Sequence, residues 1–150
     1  MTDVPSQATP VWAFFYGSYM NLEVLRQVGV VPAAWHVARV AGFDIVIRPR
    51  ANLVPSDRGC VYGIVAAATH DELARLYDHA RDVLGEVYLP QAVLAEAMDG
   101  AWRPALCYIA PSMEPRAAAA DYVDRIGAAA RAFEFPQRYI EHLESFRPPD

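Results

Sequence analysis

The stretch from Val11 to Leu25 constrains this chain more than any other. Val11-Trp12-Ala13-Phe14-Phe15 is an unbroken apolar run. Tyr16-Gly17-Ser18-Tyr19-Met20 interrupts it with a glycine-serine turn, and Asn21-Leu22-Glu23-Val24-Leu25 then carries helix-starting chemistry. A short apolar run bounded by turn residues reads as a buried strand. Asn21 suits an N-cap, because its side chain accepts from the first free N–H groups of a helix, and Glu23 complements the positive end of the helix dipole. Where a strand meets a helix start, several backbone N–H groups lack an intrahelical partner, and such a spot binds anions. Gly17 lets the chain bend there and lets a ligand approach the backbone. The same junction also serves as a plain connection with no ligand.

The rest of the chain alternates strand and helix signals. Residues 1–10 are polar with two prolines and read as a frayed tail. Residues 11–16 read as the first strand and 21–28 as the first helix. Val37 to Ile47 alternates loosely and stops at Arg48-Pro49-Arg50, which predicts a second strand. Ala51 to Arg58 reads as a loop and Gly59 to Ala68 as a strand. Thr69 with Glu72 three residues on predicts a capped helix through Leu76. Glu86 to Ala97 is strand-like, with Pro90 at an edge or bend. Asp99-Gly100 signals a hairpin, and Pro104 to Ala110 is its returning strand. Ala117 to Ala132 is helical, with Tyr122, Val123, Ile126 and Ala130 on one stripe. Pro136 opens a last helix through Ser145. About five strands and three or four helices in 150 residues make one α+β domain.

Charge and composition exclude several classes. The net charge is −5, and the basic residues are 13 arginines with no lysine and no basic stripe. Nucleic-acid binding, which needs clustered cations against phosphates, is not expected. No apolar run approaches the ~20 residues of a membrane helix, and the first residues lack a secretory signal pattern. Cys60 and Cys107 both sit in apolar strand-like runs and read as buried free thiols, which suits a reducing cytoplasm. No Cys/His cluster has zinc spacing. His36, His70, His79 and His142 show no paired spacing, and His79 is the nearest to the region of interest. Trp12, Trp35 and Trp102 read as core or rim packing.

Several motifs in order resemble the γ-glutamylcyclotransferase-like (AIG2-like) family. Tyr16-Gly17-Ser18-Tyr19-Met20 is similar to its Tyr-Gly-Ser-Asn-Met/Leu signature, with Tyr19 in place of the Asn. Val40-Ala41-Gly42-Phe43 resembles the entry to its second strand. Ala51-Asn52-Leu53-Val54-Pro55 resembles its Ala-x-Ile-Val-Pro segment, and Gly59-Cys60-Val61-Tyr62-Gly63-Ile64-Val65 the strand that follows. Phe135-Pro136-Gln137-Arg138-Tyr139-Ile140-Glu141-His142-Leu143 resembles its C-terminal Leu-Pro-x-x-Tyr-Ile-x-x-Leu. The likeness spans residues 11–146, leaving 1–10 and 147–150 as tails. It implies a small mixed β-barrel of about five to six strands with helices packed outside and a ligand pocket at its mouth. It also implies a small-molecule γ-glutamyl substrate, held by Tyr16, Gly17, Ser18, Tyr19, Met20, Tyr88 and Tyr139, with no metal or organic cofactor.

The implied reaction is cyclisation. The substrate's own α-amino group attacks its γ-carbonyl, and 5-oxoproline and an amine are released. The protein must orient the chain, move a proton and stabilise an oxyanion. The family carries the proton on the Glu of Leu-Asp-x-x-Glu-Gly. Anchored on Asp78 and Tyr88, that position here is Arg81, and the Gly position is Asp82. Arginine stays protonated and cannot act as a base. Three alternatives follow. Glu86, two residues before Tyr88 and so on the same face of a strand, carries the proton. Or Asp82 serves from the loop. Or the acid is absent and the fold is a non-catalytic binding module. An amide hydrolase or transferase using Asp82 or Ser18 is a further reading; Ser18 lacks the full nucleophile-elbow pattern.

Overall fold

The computed structural model describes residues 9–149; of the frayed tail read over residues 1–10, the first eight lie outside them, and Pro10 belongs to the first strand instead. Five strands form a closed barrel: β1 (Pro10–Phe15), β2 (Trp35–Ile47), β3 (Ala51–Thr69), β4 (Leu89–Ala97) and β5 (Trp102–Ile109), in the order β1-β3-β2-β4-β5. Four of the pairings are antiparallel. The ring is completed by a short parallel pairing of β1 with β5, Ala13 opposite Leu106 and Phe14 opposite Cys107. Closure removes free sheet edges. Helices α1 (Leu22–Gln27), α2 (His70–His79), α3 (Ala120–Ala132) and α4 (Gln137–Glu144) pack around it. This is the α+β barrel expected from the motifs.

Local chemistry explains most element ends. Asn21 caps α1, its side chain accepting from the Glu23 N–H at 2.9 Å. Thr69 and Glu72 form the full reciprocal capping box at α2, worth about 1 kcal/mol. The β4–β5 hairpin turns at Asp99-Gly100, with Gly100 at φ 89° and the Asp99 carboxylate accepting from the Ala101 N–H. The α3 stripe Tyr122, Val123, Ile126 and Ala130 is buried as its periodicity predicts.

Three local readings need correction. Ala51 to Arg58 is not a loop but the first part of β3, a 19-residue strand. It pairs with β2 in a long two-stranded arm in which the register shifts between Ala41 and Phe43. The irregular stretch takes in Gly59, and Pro55 pairs with Phe43 at its edge; both residue types disfavour regular strand. Secondly, α2 runs three residues past Leu76 to His79 and continues as a single π-helical turn over Ala80–Leu84, closed by Gly85 at φ 80°. Thirdly, β4 starts at Leu89, so Glu86 and Tyr88 lie on an irregular connection and the same-face-of-a-strand reasoning does not apply to them. Of the tryptophans read as core or rim packing, Trp35 and Trp102 are 40% and 59% exposed and lie at the rim.

The core fills the barrel and its junction with the helices. Phe14, Phe15, Met20, Leu25, Ile45, Ile47, Ile64, Leu73, Leu76, Ile126 and Leu143 are all essentially inaccessible. Each such side chain contributes roughly 1.5–3 kcal/mol. Asn52 is buried with them and is satisfied by a reciprocal pair with Ala110: its side chain donates to the Ala110 carbonyl at 2.7 Å and accepts from the Ala110 N–H at 2.9 Å. That pair ties β3 to the end of β5.

Candidate functional site

The glycine-serine turn opens into a small cavity at one end of the barrel. Strand β1 ends at Phe15, and Tyr16 and Gly17 lead into a 3-10 turn over Ser18–Met20 that precedes α1. The cavity beside it is about 30 Å³ and is lined by Tyr16, Gly17, Ser18 and Tyr19 from the turn. Arg50 and Ala51 come from the start of β3, Tyr77, Ala80 and Leu84 from α2 and its π turn, and Tyr88, Tyr108 and Tyr122 from three further segments. Larger clefts of about 680 and 660 Å³ lie elsewhere on the barrel. They are broader, and neither includes the glycine-serine turn.

Gly17 is required for space rather than for its backbone angle, since φ is −112°. A Cβ at this position would stand 2.7 Å from the Ala51 Cβ. The turn therefore packs directly on β3. The N–H groups of Gly17, Ser18 and Tyr19 donate to no acceptor among the described residues. They meet the expectation of unpartnered donors at this junction.

Six tyrosines form the wall, and their hydroxyls are mostly committed to backbone. The Tyr16 hydroxyl donates to the Tyr108 carbonyl at 2.6 Å, Tyr19 to the Leu76 carbonyl at 3.2 Å and Tyr88 to the Ala51 carbonyl at 2.7 Å. The Tyr122 hydroxyl accepts from the Ala51 N–H at 3.0 Å and also pairs with the Ser18 side chain. Tyr77 stacks on Tyr108 with ring centres 3.8 Å apart, and its edge meets Tyr19. These bonds satisfy buried phenols and lock the walls to β3, β5 and α2.

Burial makes these phenols hard to ionise. Desolvation pushes the Tyr19 phenol up to about 12, opposed weakly by the nearby Arg50 charge. Tyr16, Tyr77, Tyr88 and Tyr122 are raised by the same cause. An unfolded tyrosine titrates near 10. The folded value is higher, so this stability is fully present below about pH 10 and is lost as pH climbs toward 12 for Tyr19. The expected result is a base titration in which phenolate absorbance and loss of far-ultraviolet circular dichroism rise together. Ordinary phenolate titration near pH 10 with the fold intact would contradict it.

The sequence-based candidates divide in this setting. Tyr16, Gly17, Ser18, Tyr19 and Tyr88 line the cavity. Met20 does not; it is wholly buried in the core. Tyr139 belongs to a separate aromatic cluster, 5.0 Å from the Tyr62 ring and 6.0 Å from that of Phe135, and it is absent from the lining. Asp82 is on the surface, and its carboxylate pairs with Arg81 at 3.0 Å, which holds the carboxyl below the usual range. Arg81 is exposed too and also pairs with Asp78 at 3.4 Å. The residue of this segment that does face the cavity is Ala80.

Glu86 is 8% exposed and is the one buried carboxylate among the described residues. No hydrogen bond or ion pair holds its side chain among them. It does not line the cavity itself. Its charge reaches the Tyr88 phenol, which burial, then Tyr122, then Glu86 push upward while Arg50 pulls it down. Val87 between them is 55% exposed, so the connection alternates in and out even without strand pairing. Ser18 has a tyrosine partner and no histidine in the cavity wall, so nothing there activates it as a nucleophile.

Sequence reasoning missed Arg50, Ala51, Tyr77, Tyr108 and Tyr122. Four of them are aromatic or cationic, Ala51 carries no chemical signal, and only the barrel brings the five together. No group of three or more potential metal-ligating side chains occurs among the described residues. No helix among them is long and apolar enough to cross a membrane.

No family model and no curated protein matches the sequence. Solved structures do match the fold. An uncharacterized human protein superposes with a TM-score of 0.80 at 21% identity, covering 95% of this chain and 90% of that one. A γ-glutamyl cyclotransferase superposes with a TM-score of 0.78 at 22% identity, over 94% and 90% of the two chains. A γ-glutamyl cyclotransferase specific to glutathione from yeast gives 0.64 at 12% identity, over 92% and 95%. The chain has the fold these proteins share, over almost its whole length.

Proposed function

We propose that this protein is a cyclotransferase for a γ-glutamyl amine or a γ-glutamyl-tagged small molecule, and that Glu86 carries the proton. The observation that carries this reading is the location of Glu86, the one buried carboxylate among the described residues. It has no hydrogen bond or ion pair among them and lies two positions before Tyr88, which lines the cavity beside the glycine-serine turn. The fold shared with γ-glutamyl cyclotransferases supports the reaction class, though fold does not fix function.

In the proposed reaction the α-ammonium loses a proton to Glu86. The freed nitrogen attacks the γ-carbonyl carbon, and an N–C bond forms as the ring closes. The negative charge that develops on the carbonyl oxygen is met by the unpartnered N–H groups of the turn. Glu86 returns its proton to the leaving nitrogen as the bond to it breaks, and then takes the second proton from the cationic ring nitrogen and passes it to solvent, which leaves a neutral lactam. The products are 5-oxoproline and the free amine, with no covalent bond to the protein. A cavity of about 30 Å³ is on the scale of about one water molecule in the liquid. The tyrosine and Leu84 walls must therefore part to admit a glutamyl unit. A reducing cytoplasm is part of the same reading, in keeping with the two unpaired thiols.

A non-catalytic binding module is favoured by one specific observation: the helical segment facing the cavity presents Ala80 there, while Asp82 and Arg81 pair outside. The test is 5-oxoproline release from a panel of γ-glutamyl amines and dipeptides. Release supports the cyclotransferase. Binding of panel members without any release supports the module. Release of free glutamate instead points to an amide hydrolase.

A further inference from the structure

We propose that Arg50 is the carboxylate clamp of this pocket and selects ligands that carry a free α-carboxylate. The inference deepens the γ-glutamyl reading and rests on it.

Arg50 is the one charged side chain in the cavity wall. Seven other arginines, among them Arg39 and Arg103, pair with carboxylates. Arg50 pairs with none among the described residues. Its guanidinium lies 4.9 Å from the centre of the Tyr122 ring, a cation–π contact that orients the group without neutralising it. The backbone beside it is pinned. The Ala51 N–H donates to Tyr122 and the Ala51 carbonyl accepts from Tyr88. A cation held in place without a counter-ion is ready for an anionic ligand.

The remaining polar groups of the wall point to the same ligand. The hydroxyl hydrogens of Tyr16, Tyr19 and Tyr88 are already given to backbone carbonyls. The donors left include the Arg50 guanidinium, the N–H groups of Gly17, Ser18 and Tyr19, and the hydroxyls of Tyr77 and Tyr108. A ligand must supply acceptors to them, and a carboxylate matches the planar fork of an arginine with two parallel hydrogen bonds. The opposite charge, Glu86, acts on the other side of the balance. Arg50 and Glu86 pull the Tyr88 phenol in opposite directions. On the γ-glutamyl reading, an α-amino acid head group that places its carboxylate on Arg50 leaves its ammonium to Glu86.

The test is binding of 5-oxoproline and of its carboxamide to the full chain, by calorimetry, for the wild type, Arg50→Gln and Arg50→Lys. Thermal melts check that each variant folds. The wild type is expected to bind the acid at least about tenfold more tightly than the amide. Arg50→Gln is expected to lose that preference by weakening the acid about tenfold or more, as the loss of a charge-assisted hydrogen bond does, with amide binding unchanged within about twofold. Arg50→Lys, which keeps the charge and loses the fork, is expected to fall between them. Equal binding of acid and amide by the wild type, binding of neither, or an Arg50→Gln protein with full acid preference overturns the clamp. The γ-glutamyl reading stands or falls separately, on 5-oxoproline release by the wild type. Acid preference without release retains the clamp and removes the cyclotransferase.

Discussion

Glu86→Gln is expected to lower 5-oxoproline release by about 10²–10⁴-fold with the fold unchanged. The range is that of a lost general acid–base group, or roughly 3–5 kcal/mol of barrier. Glutamine has nearly the same shape and fills the same buried site, but it cannot accept and return a proton. Stability is expected to hold because Glu86 has no hydrogen bond or ion pair to lose among the described residues. Relieving a buried carboxylate of its charge costs the folded state nothing. Asp82→Asn is the matched control. Asp82 lies on the surface against Arg81, and its loss is expected to change release by less than about twofold, since exposed pairs contribute little. Release and melting temperature are measured on the same preparations. Full release from a well-folded Glu86→Gln protein removes Glu86 from the reaction and leaves the proton to another carrier.

Gly63→Ala is expected to destabilise the barrel strongly. Gly63 lies in β3 opposite Ala38 of β2, and its neighbour Ile64 pairs with Phe15 of β1. A Cβ at Gly63 would overlap the Phe15 carbonyl oxygen and come within 3.1 Å of the Phe14 ring. The obstacle is backbone in a closed barrel, so no side-chain rotation relieves it. Strand β1 must shift, and the turn at Tyr16–Tyr19 begins where β1 ends. The cost is expected at the upper end for overpacking, about 3 kcal/mol. For a chain of this size that lowers the melting temperature by roughly 6–12 °C. Binding of 5-oxoproline is expected to weaken along with it, because the displaced strand carries the turn. A Gly63→Ala protein that melts within a degree of the wild type would show that β1 can give way.

Much of the barrel was legible because its signals are local. Asn21, the Thr69–Glu72 box, Asp99-Gly100 and the α3 stripe are each read from residues a few positions apart, and each acts over that same range in the structure. The long β3 strand was not legible. Pro55 and Gly59 look like loop residues, and only the register shift against β2 lets a strand contain them. The π turn at Ala80–Leu84 was hidden for a similar reason. The position anchored on Asp78 falls on exposed Arg81, while Ala80, three residues after Tyr77 on the same helical face, is the one that lines the cavity.

The sequence by itself determined that β1 leads through Gly17-Ser18 into a capped helix, and that the chain has one apolar core for its 150 residues. Backbone propensity and hydrophobic period are properties of neighbours along the chain, so neighbours suffice to read them. The tertiary structure alone decided what surrounds the turn. Closing β1 against β5 brings Tyr108 to Tyr16, and folding β3 beneath the turn brings Arg50 and Ala51 to Gly17 and Tyr122. Those residues are separated by tens of positions, and the charge balance of the pocket exists only after desolvation and closure have placed them together.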